Sequence, residues 1–333
     1  MAKSWREWER VLIELEEGLA QLQDLIEKSP VEKRGALEAQ LQDLQRKRDN
    51  FISVKFSRLG PWDRTLLSRA ETRPYALDYI RAFVEDWIEL HGDRCYGDDN
   101  AILAGLGKIG DRSCVIVGNQ KGRDLKSRQF RNFGMAKPEG YRKAIRLFKM
   151  ADRFNLPIVS FIDTPAADPG LESEERGISE AIASSMMCMF GVSVPSIGVV
   201  IGEGGSGGAI AIGICNRVLM LENSIYSVIP PEGCAAILWR DPTANDRAAA
   251  ALKLTAHDAL HFNLIDEVIS EGIGAAHRNP RECAQNIEEA IVRHLFELSQ
   301  LSPEELKNQR YEKFRKMGVY AQGTRESGTL HLS

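Results

Sequence analysis

The chain has 333 residues, enough for one large domain or two modest ones, and is 43% hydrophobic and 27% charged, as an ordinary soluble globular protein is. Its formal net charge of −4 excludes a global attraction to nucleic acid or to an anionic membrane. No apolar run is long enough to span a bilayer, the start has no apolar leader core, and the six cysteines never form C-x-x-C, so they read as reduced thiols of a cytoplasmic protein.

Up to Phe56 the chain is rich in Glu, Lys, Arg, Gln and Leu. Leu12, Leu15, Leu19, Leu22 and Ile26 recur at helical spacing, Ser29-Pro30 interrupts them, and Leu37, Leu41 and Leu44 resume the pattern. This predicts a helical hairpin over 1–56 with a narrow apolar seam, which either packs on the main domain or serves as an interaction arm. Residues 57–75 form a transition into a main domain expected over 57–322. The polar end, 323–333, is expected to be disordered.

The main domain alternates strands and helices. Cys114 to Gly118 reads as a short strand, and Pro138 to Phe154 as an amphipathic helix with Pro138 in its first turn. Ile158 to Asp163 reads as a buried strand, Glu174 to Phe190 as a helix, and Ser196 to Ile201 as another strand. Val218 to Leu221 and Tyr226 to Ile229 follow as strands. Such alternation predicts an α/β protein with a mainly parallel, buried sheet, whose chemistry lies at the strand C-termini. Two loops, Thr164–Gly170 and Gly202–Gly208, begin at such ends and are expected to line one cleft.

Between Lys121 and Lys149 stand ten basic residues and two acidic ones. The helical part reads as a solvated face. Lys121, Arg123, Lys126, Arg128 and Arg131 are candidates for contact with phosphates or with an acidic partner, and RNA is the weaker alternative.

The segment Val199 to Gly213 carries the strongest signal. A β-branched run enters Gly202-Glu203-Gly204-Gly205-Ser206-Gly207-Gly208, and a small apolar run leaves it. Strand, turn and helix N-terminus aim backbone N–H groups at an anion or a developing oxyanion. Gly202-x-Gly204-x-x-Gly207 matches a dinucleotide fingerprint, but only about two helical turns follow before the next strand. Gly204-x-Ser206-x-Gly208 matches a nucleophile elbow, yet no histidine or acid stands in a recognisable context. An oxyanion hole without a side-chain nucleophile is the third reading. A tight turn with glycines for packing alone is the fourth.

In order along the chain occur His91-Gly92-Asp93-Arg94, Gln120-Lys121-Gly122-Arg123, Arg131-Asn132-Phe133-Gly134-Met135, Pro138-Glu139-Gly140-Tyr141-Arg142-Lys143-Ala144 and Ile162-Asp163-Thr164-Pro165. Glu174-Glu175-Arg176-Gly177, the glycine segment, Pro231-Glu232-Gly233-Cys234-Ala235-Ala236-Ile237-Leu238-Trp239 and Gly274-Ala275-Ala276-His277-Arg278-Asn279-Pro280 follow. Together, over roughly 5–320, they closely resemble the α subunits of bacterial-type acetyl-CoA carboxylase carboxyltransferases.

The resemblance implies an α/β, crotonase-like superhelix of repeated ββα turns behind the helical hairpin. It implies transfer of a carboxyl group from carboxybiotin on a carrier protein to acetyl-CoA, giving malonyl-CoA, the first committed step of fatty acid synthesis. It implies a zinc-ribbon β subunit in an α2β2 assembly, the biotin carboxyl carrier protein, biotin carboxylase in a larger complex, and no metal in this chain. Gly207 and Gly208 would donate backbone N–H groups to the biotin ureido oxygen. Gly204, Gly205, Ser206, Thr164, Pro165, Glu232, Gly233, Lys121, Arg123 and Arg131 would line the substrate side.

Three positions depart from the pattern. Ala166 stands for a glycine, Asp168 for an aromatic residue and Asn119 for a frequent histidine. If position 166 needs a positive φ, alanine there costs roughly 1 kcal/mol. A carboxylate about 5 Å from the transferring one would cost about 3 kcal/mol at an effective dielectric near 20. These changes allow a second reading, a diverged subunit with weak activity or altered acyl-CoA specificity, and predict that restoring glycine and an aromatic would speed transfer.

Overall fold

The computed structural model describes residues 7–318. The tail expected over 323–333 to be disordered lies outside the described residues. Helices α1 (Glu7–Lys28) and α2 (Val31–Phe56) form the expected hairpin, broken at Ser29-Pro30 because proline cannot continue the first helix and suits the start of the second. Leu12, Leu19 and Ile52 are buried along its seam. The hairpin rests on the main domain, where Arg278 Nε donates to Glu16 Oε1 at 2.9 Å.

Two short helices, α3 (Pro61–Ser68) and α4 (Ala76–Phe83), lead into the antiparallel strands β1 (Glu85–Glu89), β2 (Ile102–Ile109) and β3 (Arg112–Asn119). Then come α5 (Leu125–Phe130), α6 (Pro138–Phe154), β4 (Ile158–Thr164), α7 (Leu171–Glu175), α8 (Ile178–Gly191), β5 (Ser196–Gly205) and α9 (Ser206–Gly213). β6 (Arg217–Leu221), β7 (Ile225–Ser227), α10 (Pro231–Trp239), α11 (Asn245–Leu252), α12 (Ala256–His261) and β8 (Glu267–Ile269) follow, and α13 (Pro280–Leu298) and α14 (Pro303–Arg315) complete the described chain.

The sheet runs β1-β2-β3-β4-β5-β6-β8, parallel from β3 onward, with β7 pairing the far end of β5. A parallel sheet is buried on both faces, so its strands are continuous apolar runs. Alternate side chains of β4 divide between the two layers. Ile158 and Ile162 pack with Tyr141, Phe148 and Met189 under α6 and α8. Val159 and Phe161 pack with Tyr79, Ile287 and Leu295 under α4 and α13.

Buried arginines tie the ends of this sheet. Arg73, fully buried, donates through Nε to Ile201 O of β5 at 2.7 Å and pairs through both terminal nitrogens with buried Glu271. Arg310 of α14, also fully buried, donates to Met189 O and Val192 O at the end of α8 and to Asn216 Oδ1.

The structure corrects several expectations. The helix expected over 174–190 is two helices, because Gly177 turns left-handed at φ 77° and Arg176 swings to pair with Glu139. Gly202–Gly208 is not a loop: β5 continues through Gly205 and α9 begins at Ser206. The strand expected over 226–229 ends at Ser227, ahead of Pro230. Among the described residues no helix is long and apolar enough to cross a membrane.

Candidate active site at the end of the glycine strand

The C-terminal ends of β3, β4 and β5 lie side by side, and each contributes to one site. Strand β5 stays extended until Ser206, whose φ of 50° turns the chain into α9. No side chain caps that helix. The first-turn N–H groups of Gly207 and Gly208 therefore have no acceptor within the helix and are free for a ligand.

The glycines here have two different causes. A side chain on Gly205 would overlap the carbonyl of Pro165, and a Cβ on Gly208 would lie 2.7 Å from Ala166 C and 2.8 Å from Ala167 N. Both are demanded by close approach of the chain after β4. Gly207 is less constrained: its Cβ would meet the Ile182 side chain, Cδ1 at 3.2 Å and Cγ2 at 3.8 Å, so that side chain would have to give way slightly. Gly207 and Ser206 instead border a cavity of about 600 Å³ lined by Met186, Ile210, Tyr226 and Phe314. Thr164 Oγ1 donates to Ala166 O at 2.6 Å and closes the turn that supports Gly208.

Behind the glycines lies a chain of charges. Lys121 Nζ sits 2.7 Å from Asp163 Oδ1 and 2.8 Å from Glu203 Oε2. Arg69 Nε lies 2.6 Å from Glu203 Oε1, and its NH1 reaches Glu232 Oε1 at 2.5 Å. Burial opposes the charge on Lys121, but Asp163 and Glu203 outweigh it and raise its pKa. Burial likewise pushes Glu203 up, while Lys121 and Arg69 outweigh it and bring its pKa to about 2. Lys121 and Glu203 therefore both carry their charges at neutral pH.

The structure gathers Thr164, Pro165, Gly204, Gly205, Ser206, Gly207, Gly208, Lys121 and Glu232 around this strand end, with Gly233 in the first turn of α10. Of the basic residues, Arg123 and Arg128 meet at Glu71, one on its carbonyl and the other on its carboxylate. Arg123 pairs with Asp78 and covers the Tyr75 ring, Arg128 pairs with Glu71, and Arg131 donates to Asn100 O at 2.8 Å. Sequence reasoning did not assign Arg69, Asp163 and Glu203 to the site. Its one available signal was a carboxylate inside each of two apolar strand runs, which buries a charge and demands a partner.

The departures from the pattern also resolve. Ala166 is not left-handed, so alanine carries no backbone strain there. Asp168 accepts from Ser173 Oγ at 2.5 Å and from Asn132 Nδ2 at 3.0 Å. Burial raises its pKa, but these hydrogen bonds outweigh it and hold the carboxyl below its usual range. Asn119 Oδ1 accepts from Asp163 N at 3.3 Å.

The same geometry bears on the competing motifs. Ser206 has the left-handed backbone of a nucleophile elbow, but among the described residues no histidine or carboxylate is hydrogen-bonded to its hydroxyl. Helix α9 has eight residues, short for a dinucleotide crossover. Among the described residues no group of three or more His, Cys, Asp and Glu could hold a metal.

A model of the family described as acetyl co-enzyme A carboxylase carboxyltransferase-like matches residues 5–318. The acetyl-coenzyme A carboxylase carboxyl transferase subunit alpha of Geobacter metallireducens is 49% identical over 316 residues, which are 95% of this chain and 98% of that protein. The corresponding protein of Fusobacterium nucleatum is 49% identical, over 92% of this chain and 97% of its own. Among solved structures, transcarboxylase 12S with methylmalonyl-coenzyme A bound aligns with a TM-score of 0.56 at 19% identity, covering 79% of this chain and 45% of that one. A Pseudomonas malonate decarboxylase hetero-tetramer in complex with coenzyme A aligns with a TM-score of 0.54 at 14% identity, over 65% of this chain and 86% of that one. These two show the fold, and the architecture is the crotonase-like α/β fold that the resemblance implied.

Proposed function

The chain belongs to the acetyl-CoA carboxylase carboxyltransferase-like family, and from that premise we propose that it is the α subunit of the enzyme that carboxylates acetyl-CoA to malonyl-CoA. One observation carries the reading: the uncapped first turn of α9 presents the Gly207 and Gly208 amides, and Gly207 borders an apolar cavity of about 600 Å³. Carboxybiotin on its carrier protein would supply the carboxyl group, and loss of that group would place negative charge on the ureido oxygen. The cavity has the apolar lining and size to take a bicyclic ring, and the amides of Gly207 and Gly208 would face that oxygen. A preorganised donor of this kind typically contributes about 3–4 kcal/mol to the barrier. Apolar walls keep water away and strengthen those hydrogen bonds. The ureido group so left would take the acetyl methyl proton as the acetyl carbon bonds to the carboxyl carbon, so no side-chain base is required of this chain.

The reading includes a partner. A zinc-ribbon β subunit would complete the site in a cytoplasmic α2β2 assembly and hold the acyl-CoA, with biotin carboxylase supplying the charged carrier. The chain alone should show negligible malonyl-CoA-dependent carboxylation of biotin, and full activity without a partner would overturn the split site.

Gly207 makes the sharpest test, because a side chain there would press only on the Ile182 side chain and on no backbone. In the assembled enzyme Gly207→Val should leave assembly intact, lower melting only slightly as Ile182 gives way, and cut transfer at least a hundredfold, while Ser206→Ala keeps most of it. Transfer by Gly207→Val at the wild-type rate would remove the amides from the mechanism. Ser206 at φ 50° favours one alternative, a hydrolase. Labelling of Ser206 by a fluorophosphonate, with loss of function in Ser206→Ala, would establish that instead.

A further inference from the structure

The charges behind the glycines are out of place as a stabilising device. Desolvating ions costs about as much as pairing them returns, and a well-packed apolar cluster of equal volume is often as stable. Yet Lys121, Asp163 and Glu203 keep only 13%, 1% and 8% of their side-chain surface exposed. Their geometry is specific. Glu203 is held by both carboxylate oxygens, Oε1 by Arg69 and Oε2 by Lys121. Its backbone N–H donates to Asp163 Oδ1 at 2.9 Å, the same oxygen that Lys121 approaches at 2.7 Å. Asp163 N in turn donates to Asn119 Oδ1. One ammonium group thus ties the ends of β3, β4 and β5 together, three residues before Ser206.

We propose that Lys121 is a positioning residue for the transfer reaction: through Glu203 and Asp163 it fixes the end of β5, and so the direction of the Gly207 and Gly208 amides. It acts through those carboxylates and not on a substrate phosphate. The route of its side chain supports this. Its stem passes under Gly134, which is left-handed at φ 81° and where a Cβ would lie 2.7 Å from Lys121 Cγ. The turn around it is built to let the ammonium group reach inward. Preorganised donors act only when held against relaxation, so a displacement of a fraction of an ångström at the strand end registers in the rate.

The inference rests on the reading of Gly207 and Gly208 given above, and its test separates the two. The assembled enzyme with its β subunit is prepared as wild type, Lys121→Met, Lys121→Arg and Glu203→Gln, and biotin carboxylation from malonyl-CoA is followed. Lys121→Met should lower kcat at least tenfold with KM for malonyl-CoA within about twofold. Lys121→Arg, which restores the cation, should recover most of that loss. Amide exchange should quicken in peptides covering 203–209 and stay unchanged in α6 and α13. If Lys121→Met does not assemble, Glu203→Gln, which keeps shape and loses one charge, should still show the kcat-specific loss. Wild-type kcat per assembled complex in Lys121→Met or Glu203→Gln overturns the inference and leaves the amide reading standing. An inactive wild-type complex overturns the amide reading first.

Discussion

Asp168 shows how a residue that breaks a family pattern can still be engaged. Its two oxygens accept from Ser173 and Asn132, and its N–H donates to Ala136 O, so it braces the turn that packs on Gly208. The like-charge penalty expected from the sequence assumed a carboxylate facing the reacting group, and these partners already hold it. The expected gain from Ala166→Gly with Asp168→Tyr is therefore reversed. Ala166→Gly alone should leave transfer unchanged, since the backbone there is not left-handed. Asp168→Ala should lower kcat several-fold by freeing the turn, and Asp168→Asn should retain more of it. Steady-state rates of the four assembled variants check this, and a faster double variant would restore the repulsion argument.

At the scale of elements, the sequence was legible where period and punctuation agreed. Helix α6 begins at Pro138 and ends at Phe154 as its apolar spacing indicated, and β4 differs from expectation by one residue. The break at Gly177 was hidden because glycine is tolerated inside helices as well as at their ends. Helices α10, α11 and α12 were missed because they are short and alanine-rich, with little periodic contrast. The glycine site was legible because its signal is local. Lys121 and Glu203 stand far apart in sequence, and only the parallel pairing of β3, β4 and β5 brings them together. The hairpin yields a prediction at this scale. Leu12 is fully buried on its seam, so Leu12→Ala should cost about 2–5 kcal/mol. Glu16→Ala removes one partly exposed ion pair with Arg278 and should cost under about 1 kcal/mol. Urea unfolding distinguishes them, and equal losses would mean that the hairpin is held by its charges.

At the scale of the molecule, buried charge makes stability depend on pH. Glu203 is held at about 2 against an ordinary 4.5, so its stabilisation is complete above 4.5 and fades as pH falls toward 2. His277 acts in the same direction at higher pH. Burial, then the neighbouring Arg278, lowers its pKa from 6.5 to about 3. Between those values the unfolded chain binds a proton that the folded chain refuses, so acid favours unfolding. Urea midpoints of wild type should therefore drop relative to His277→Gln as pH is lowered from 6.5 to 4.5. A constant difference across that range would show that His277 takes up its proton in the folded state.

The anchoring of Arg310 has a consequence for the order in which the protein is made. The carbonyls of Met189 and Val192, at the end of α8, find their buried donor only in α14, more than a hundred residues later. Phe314 and Met317, just beyond it, wall the cavity beside Gly207. A chain still emerging from the ribosome can hydrogen-bond its sheet and set its glycine turn, yet it lacks both the plug for α8 and one side of the cavity. The cavity can be closed only after synthesis of this last described helix, so a nascent chain cannot yet present it complete.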